Sequence, residues 1–264
     1  MTGRIDFSAN ASVYDNRHGA FLSNEIAQQL ATIAALRSND VVLDVGAGTG
    51  RVSVPLAAFG CLVVALDLAQ PMLERLRNKA PDARVALVVG LGGALPFRDA
   101  SFDATVIARL MYLLPDWRDV MNEMIRALRP GGRLLHEWGN GSPDEEWVQI
   151  RERARALFEQ AGVKDPFHPG AREESEVDRF LIARGLEAHG EVRAEPDTRT
   201  TLAQFLERIV AGECSYIWNV PGDVQQKCLP ALKAWTAERF DLECSRPAPR
   251  EIRWTVYRKG CRDA

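Results

Sequence analysis

The stretch Val41-Val-Leu-Asp44-Val-Gly46-Ala-Gly48-Thr-Gly50-Arg51 decides the fold. Its first five residues, four of them apolar, make a run of the length and composition of a buried strand. The glycines at alternate positions then allow a tight turn and a close approach of the backbone to a ligand, conformations closed to residues carrying a Cβ. A helix beginning behind such a turn offers N–H groups with no partner inside the helix. Two related turns are excluded by spacing. A dinucleotide-binding turn has its third glycine five positions after the first, where Arg51 stands, and no Lys-Thr or Lys-Ser pair follows to make a P-loop.

Outward from this stretch the pattern repeats. Leu62–Leu66, Ala83–Val89, Phe102–Ala108 and Gly132–His136 are further short apolar runs, separated by helical segments. In one of these segments Val120, Met121, Met124, Ile125 and Leu128 share a helical face, and Arg129-Pro-Gly-Gly132 is expected to stop it. Such runs between helices predict an α/β fold with a doubly wound, mostly parallel sheet covered on both faces. An N-terminal helix is expected with Ile26, Leu30, Ile33 and Ala34 on one face. After Gly139 a turn-rich break precedes charged helical stretches over 145–161 and 224–240, with an amphipathic stripe of Leu202, Phe205, Leu206, Ile209 and Val210 between them. Leu186–Val192 and Ile252–Tyr257 are two late candidate strands. The expected organisation is therefore an N-terminal segment over 1–37, a ligand-binding core over 38–140, and a helical cap over 141–264 that also returns the last two strands.

Composition narrows the function classes. The chain has 264 residues, with 33 Lys+Arg against 36 Asp+Glu and a formal net charge of −3. Phosphate binding normally needs a basic surplus, so nucleic acid is disfavoured as a main partner. No apolar stretch approaches the roughly 20 residues of a membrane span, and Met1–Phe7 lacks the apolar core of a signal peptide. A cytoplasmic protein is expected. The five cysteines show no CxxC pair or zinc-ligand spacing and are expected to be reduced thiols.

Asp67 ends the second strand, 21 residues after Gly46. In doubly wound folds an acid there accepts hydrogen bonds from a ribose diol beside the Gly-rich turn, so the pair points to an adenosine-type ligand. The competing reading is an Asp that merely caps the helix beginning near Pro71.

Five ordered stretches carry a resemblance: Val42–Gly50, Ala65–Leu73, Ala94–Asp103, Leu114-Pro-Asp116 and Ala127–Leu135. Over about a hundred residues the sequence resembles the class I S-adenosylmethionine-dependent methyltransferases, most of all the branch holding ubiquinone and menaquinone biosynthesis enzymes. The resemblance implies a seven-stranded Rossmann-like sheet whose last strand is antiparallel. It also implies S-adenosylmethionine as cofactor, with no metal needed. Gly46 and Gly48 would lie against the methionine part, Asp44 would support its amino group, and Asp67 would hold the ribose with Leu68 against the adenine. Ala108 and Arg109 would border the methionine moiety, and Tyr14 and Arg17 would belong to an N-terminal segment folding over the cofactor. One departure is plain: Leu91 stands where the family has an acid for the adenine amino group. A leucine cannot accept that bond, which leaves backbone groups around Gly92 to take it over.

Methyl transfer needs the acceptor atom held close to the methyl and, for some acceptors, a proton removed. Candidate bases belong where the fourth and fifth strands end, because ligands bind at the carboxyl edge of such sheets. His136 and Tyr112 are the candidates; adjacent Glu137 must point to the opposite face from His136. His18 is a further possibility. Tyr216 and Trp218 are the aromatic residues of the expected cap best placed to reach an acceptor, and Arg109 is either a contact for an anionic acceptor or part of a surface ion pair. A small, apolar or aromatic acceptor methylated at O, N or C is expected. RNA or protein methylation is disfavoured by the balanced charge, and a nicotinamide dehydrogenase by Arg51. A non-catalytic cofactor-binding relative remains as an alternative because of Leu91.

Overall fold

The computed structural model describes residues 21–139, 145–164, 169–194, 199–211, 214, 217, 220–247 and 252–261. Its elements run α1 (Asn24–Ile33), β1 (Val41–Val45), α2 (Ser53–Ala58), β2 (Leu62–Asp67), α3 (Gln70–Lys79), β3 (Val85–Val89), β4 (Phe102–Ala108), α4 (Trp117–Ala127) and β5 (Leu128–Glu137). They continue with α5 (Glu145–Gln160), α6 (Glu174–Ile182), β6 (Leu186–Ala194), β7 (Arg199–Thr200), α7 (Leu202–Val210), α8 (Gly222–Ala237), β8 (Arg246–Pro247) and β9 (Ile252–Lys259).

Two compact units divide these elements. The larger contains α1 through β5, then α6, β6 and nearly all of β9. Its seven-stranded sheet has the order β3-β2-β1-β4-β5-β9-β6. β1 pairs in parallel with both β2 and β4, placing Val42 between Val63 and Ala104. β9 runs antiparallel to β5, with His136 opposite Thr255 and Glu137 opposite Trp254. The doubly wound, mostly parallel sheet expected from the motifs is thus present, with the antiparallel strand at the closing segment.

Burial explains the apolar runs. Val42, Leu43, Ala104, Val106, Leu134 and Leu135 are wholly enclosed, as both faces of a central parallel strand must be. From β1 the chain moves outward to β2 and β3, then returns across to β4 and β5. The reversal opens a crevice at the carboxyl ends of β1 and β4, the place where ligands bind in such sheets. Asp103, inside one of the motif stretches, serves the architecture of the sheet. Its carboxylate accepts the Val41 N–H at 2.8 Å and pairs with Arg129, fixing where β1 enters.

The structure differs from the sequence reading at one boundary. Helix α4 ends at Ala127, and Leu128, expected on the helix, already pairs with Phe102 as the first residue of β5. Residues 129–132 are a bulged start to the strand, with Gly131 at φ +75° and the register shifted before Ala104 meets Arg133. Pro130 has no N–H to continue a helix. Lys259 on β9 donates to the carbonyls of Ile125 and Leu128, both at 2.6 Å, and so satisfies acceptors at the helix end. Helix α6, for which the sequence offered no expectation, belongs to the larger unit.

The smaller unit has its own core, formed by α5, α7 and α8. Trp147, Ile150 and Phe158 of α5 meet Leu206, Ile209 and Leu232, and Trp147 packs edge-on to Phe205 at 4.6 Å. Thr201 and Gln204 form a reciprocal capping box at the start of α7.

Because Leu43 has strands on both sides and no exposed surface, Leu43→Ala leaves a cavity that neighbours cannot easily fill. The expected loss is about 2–5 kcal/mol in the unfolding transition of the larger unit, read by urea denaturation.

Candidate functional site

The turn after β1 takes the shape its glycines allow. Gly46, Gly48 and Gly50 sit at φ +70°, +54° and +86°, in the left-handed region that side chains disfavour. Space is equally restrictive. A Cβ on Gly46 would lie 2.3 Å from Leu110 Cδ2, and one on Gly50 2.6 Å from Leu76 Cγ. The Leu66 carbonyl at the end of β2 accepts from Gly46 N at 2.8 Å and Ala47 N at 3.1 Å, fastening the turn to the neighbouring strand.

Asp67 completes the fastening. One carboxylate oxygen accepts the Gly48 N–H and the other the Ala69 N–H, each at 2.8 Å. Each oxygen keeps acceptor capacity for a further donor. Burial raises the Asp67 pKa, and the Ala69, Gly48 and Leu68 N–H groups act against the rise. The competing role as helix cap does not describe it, because the N-cap of α3 is Ala69. Beside Asp67 the apolar side chains of Leu68 and Val89 are 58% and 55% exposed, at the carboxyl ends of β2 and β3. Leu91 is half-buried. Gly92 is packed close: a Cβ there would meet Val45 Cγ1 at 3.0 Å and Val120 Cγ1 at 3.3 Å.

Asp44 is buried under the turn and accepts a 2.6 Å hydrogen bond from the Ser53 hydroxyl. Burial pushes its pKa up to about 6; the Ser53 bond opposes the shift and the negative charge of Asp67 adds to it.

A second buried acid, Glu137 at the end of β5, has no exposed surface and holds two arginines. Arg51 forms a fork with it, Nη1 to Oε2 at 2.6 Å and Nη2 to Oε1 at 3.0 Å. Arg109 reaches Oε1 through Nε and Nη2, both at 2.8 Å. Burial alone would raise the Glu137 pKa, but the Arg109 and Arg51 charges and their hydrogen bonds bring it below the usual range. Arg109 sits at φ +55° with its N–H bonded to the Glu137 carbonyl, and Gly139 leaves room for its stem, since a Cβ there would lie 2.2 Å from Arg109 Cγ. The surface ion pair considered for Arg109 is instead a buried one. Ala108, the last residue of β4, is half-buried beside it.

Tyr112 lies in a short turn after β4, buried, with its ring edge-on to Trp138 at 5.7 Å. His136 points to the opposite face of β5 from Glu137. Its ring is wholly buried, 6.3 Å from Trp138, and among the described residues neither ring nitrogen has a hydrogen-bond partner. Burial is the main reason its pKa falls to about 4, so the ring is neutral near pH 7. Tyr14, Arg17, His18, Tyr216 and Trp218 lie outside the described residues.

Sequence reasoning missed Ser53 and the pairing of Arg51 with Glu137. In the sequence Arg51 counts only as a residue standing in place of a glycine. An arginine beside a Gly-rich turn and an acid at the end of a buried strand were the available signals, 86 residues apart.

Residues 43–136 match a family model described as a methyltransferase domain. The chain is 39% identical over 134 residues to a demethylmenaquinone methyltransferase of Clavibacter sepedonicus, covering 49% of this chain and 54% of that protein. A demethylmenaquinone methyltransferase of Corynebacterium efficiens is 41% identical over 99 residues, covering 38% of this chain and 41% of the relative. The chain thus spans about half the length of these relatives, or less. Two solved structures share the fold: the YcgJ protein of Bacillus subtilis (TM-score 0.61, 18% identity, 90% of this chain and 99% of that one) and phosphoethanolamine N-methyltransferase 2 of Haemonchus contortus with S-adenosyl-L-methionine (TM-score 0.57, 17% identity, 98% and 61%).

Glu137→Gln keeps the shape but removes the negative charge shared by buried Arg109 and part-buried Arg51. The expected cost is about 3–5 kcal/mol in urea unfolding at pH 7. Since the folded-state pKa of Glu137 is depressed from 4.5, its contribution is present above that value and is lost as pH falls through the folded pKa. The gap between wild type and variant should therefore narrow in acid.

Proposed function

We propose that this chain is an S-adenosylmethionine-dependent methyltransferase acting on O, N or C of a small apolar or aromatic acceptor. The observation that carries this reading is the Gly46–Gly50 turn fastened to the Asp67 carboxylate, with exposed Leu68 and Val89 alongside.

The residues present fit the cofactor. The left-handed glycines leave no side chain between the turn and a ligand, and Asp67 has acceptor capacity left for ribose hydroxyls. Leu68 and Val89 offer apolar surface to a base at a place where apolar side chains would otherwise stay wet. Gly46, Gly48, Ala108 and Arg109 would border the methionine part, Asp44 would stand near its ammonium, and backbone around Gly92 would meet the adenine edge in place of an acid at Leu91. When bound, the cofactor supplies an activated methyl group for in-line displacement.

The chain's own contribution is then positioning and exclusion of water. Glu137 acts through Arg51 and Arg109, holding the turn after β1 against the end of β4. Tyr112 is our choice for the polar group facing the acceptor. His136 is a weaker one, because a base with a pKa near 4 has little driving force to take a proton at pH 7. Relatives named demethylmenaquinone methyltransferases support a quinone-like acceptor. A cytoplasmic setting is part of the same reading: Cys61 and Cys228 are buried thiols, and burial pushes the Cys61 thiol up to about 11. Among the described residues no helix is long and apolar enough to cross a membrane.

Calorimetry with S-adenosylhomocysteine tests the proposal. Loss of one charge-assisted hydrogen bond is worth about 1.5–3 kcal/mol, so Asp67→Ala should weaken binding by roughly 10–150-fold. An absence of binding by the wild-type chain would overturn the reading. Tight binding with no turnover over a broad acceptor panel would favour the non-catalytic alternative that Leu91 suggests, and turnover unchanged in Tyr112→Phe would remove Tyr112 from the proton chemistry.

Asp44 adds a pH signature. Its carboxyl ionises near pH 6, and only the ionised form attracts the cofactor's ammonium, so affinity should rise as pH increases through about 6 and Asp44→Asn should flatten the profile. Stability of the free protein runs the other way. The folded chain holds this proton more tightly than the unfolded one, so the group's contribution falls as pH rises from 3.8 to about 6. Thermal unfolding with and without ligand across this range separates the two trends.

A further inference from the structure

We propose that His136, Glu174 and Asp178 form a binding site for a divalent first-row transition-metal cation, fastening α6 to the face of β5 that points away from Glu137. One potential ligand atom from each of the three residues lies within 4.8 Å of the other two. Glu174 and Asp178 stand four residues apart on α6, so their side chains emerge from one face of that helix. His136 is aimed into the same place from the sheet. Its imidazole is completely buried, and among the described residues neither Nδ1 nor Nε2 has a hydrogen-bond partner. Buried polar groups are nearly always satisfied, and an imidazole enclosed beside two carboxylates with no bond to either is an exception that a cation would explain.

The surroundings hold the carboxylates in position, as the outer partners of metal ligands do. Arg253, Thr255 and Tyr257 alternate on β9, so they share the face on which Thr255 lies opposite His136. The Tyr257 hydroxyl donates to Asp178 Oδ1. Arg253 pairs with Glu174 Oε2 at 3.1 Å and also with Glu191, to which Arg193 adds a second ion pair at 3.1 Å. Arg253 opposes a cation electrostatically, and its own charge is engaged by Glu174, Glu191 and Asp178.

The donor set selects the class of ion. One imidazole nitrogen with two carboxylate oxygens suits Zn2+ and its first-row neighbours, whereas Ca2+ takes six to eight oxygens. Around tetrahedral Zn2+, with ligands at about 2.0–2.2 Å, donor atoms lie roughly 3.3–3.6 Å apart. The 4.8 Å spread therefore needs only a modest closing, which rotation of the two carboxylates can supply. Three protein ligands leave a fourth position for water. The sequence carried no metal-ligand spacing because the histidine and the two acids come from elements that meet only in the folded sheet. As a metal ligand His136 is not available as a base, which leaves Tyr112 as the polar group for the acceptor.

The test is titration of the full chain, first stripped with EDTA, with Zn2+ by calorimetry and with Co2+ by absorption spectroscopy. One equivalent should bind, with the weak d–d bands of nitrogen and oxygen ligation and no thiolate charge-transfer band, and Zn2+ should raise the unfolding temperature. Glu174→Gln and Asp178→Asn nearly preserve shape, and each should weaken binding by about tenfold or more. Absence of stoichiometric binding up to millimolar metal would overturn the proposal. So would a thiolate band, or affinity unchanged in both variants. Should a variant fail to fold, imidazole nitrogen shifts of His136 in the wild-type chain decide: a change on adding one equivalent of Zn2+ supports the site, and unchanged shifts reject it.

Discussion

A single buried carboxylate connects the parts of the ligand-binding edge. Glu137 has no exposure to water, and an ionised acid in that position survives only with compensating charge and hydrogen bonds. Arg51 and Arg109 provide both. Arg51 follows the Gly-rich turn of β1, Arg109 follows β4, and Glu137 ends β5. The ends of three adjacent strands are therefore held at one point. The cost is local: Arg109 adopts a left-handed backbone conformation, and Gly139 must lack a side chain to admit it. Breaking the cluster would take from the buried charges the compensation that each gives the other.

Strand alternation divides the work around β5. Glu137 faces the Gly-rich turn and the end of β4, while its neighbour His136 faces α6. One strand thus contributes to two separate polar clusters with a sheet between them. This separation explains why two adjacent polar residues, both fully buried, can serve different ends. The pairing with β9 extends the division, since Trp254 accompanies Glu137 while Thr255 accompanies His136.

Much of the fold was legible in the chain because its cues are local. A strand such as Val41–Val45 announces itself by an apolar run, and the turn after it by glycines that all take positive φ. Of the stripe read on α7 from helical spacing, Leu202, Leu206 and Ile209 are buried and Phe205 half-buried, while Val210, at the helix end, is 50% exposed. Cues failed where neighbours made the decision. Leu128 fits the stripe of α4 but joins β5, because Pro130 cannot continue the helix and Lys259, from the far end of the chain, takes up the free carbonyls. Helix α6 has a short apolar face within an acidic stretch, and its acids acquire meaning only beside His136, Arg253 and Tyr257.

By itself the sequence determined the strand–turn–helix at Val41–Arg51, the acid that braces it, and the mostly parallel sheet that follows from short apolar runs alternating with helices. Glycine conformation and hydrophobic periodicity are properties of neighbouring residues, so they can be read along the chain. Only the tertiary structure decided which distant polar and charged groups meet. Arg51 and Glu137 are 86 residues apart, and Tyr257 and Asp178 are 79 apart. A low-dielectric interior selects such pairs by distance and geometry after the sheet has closed, and composition alone carries no record of that choice.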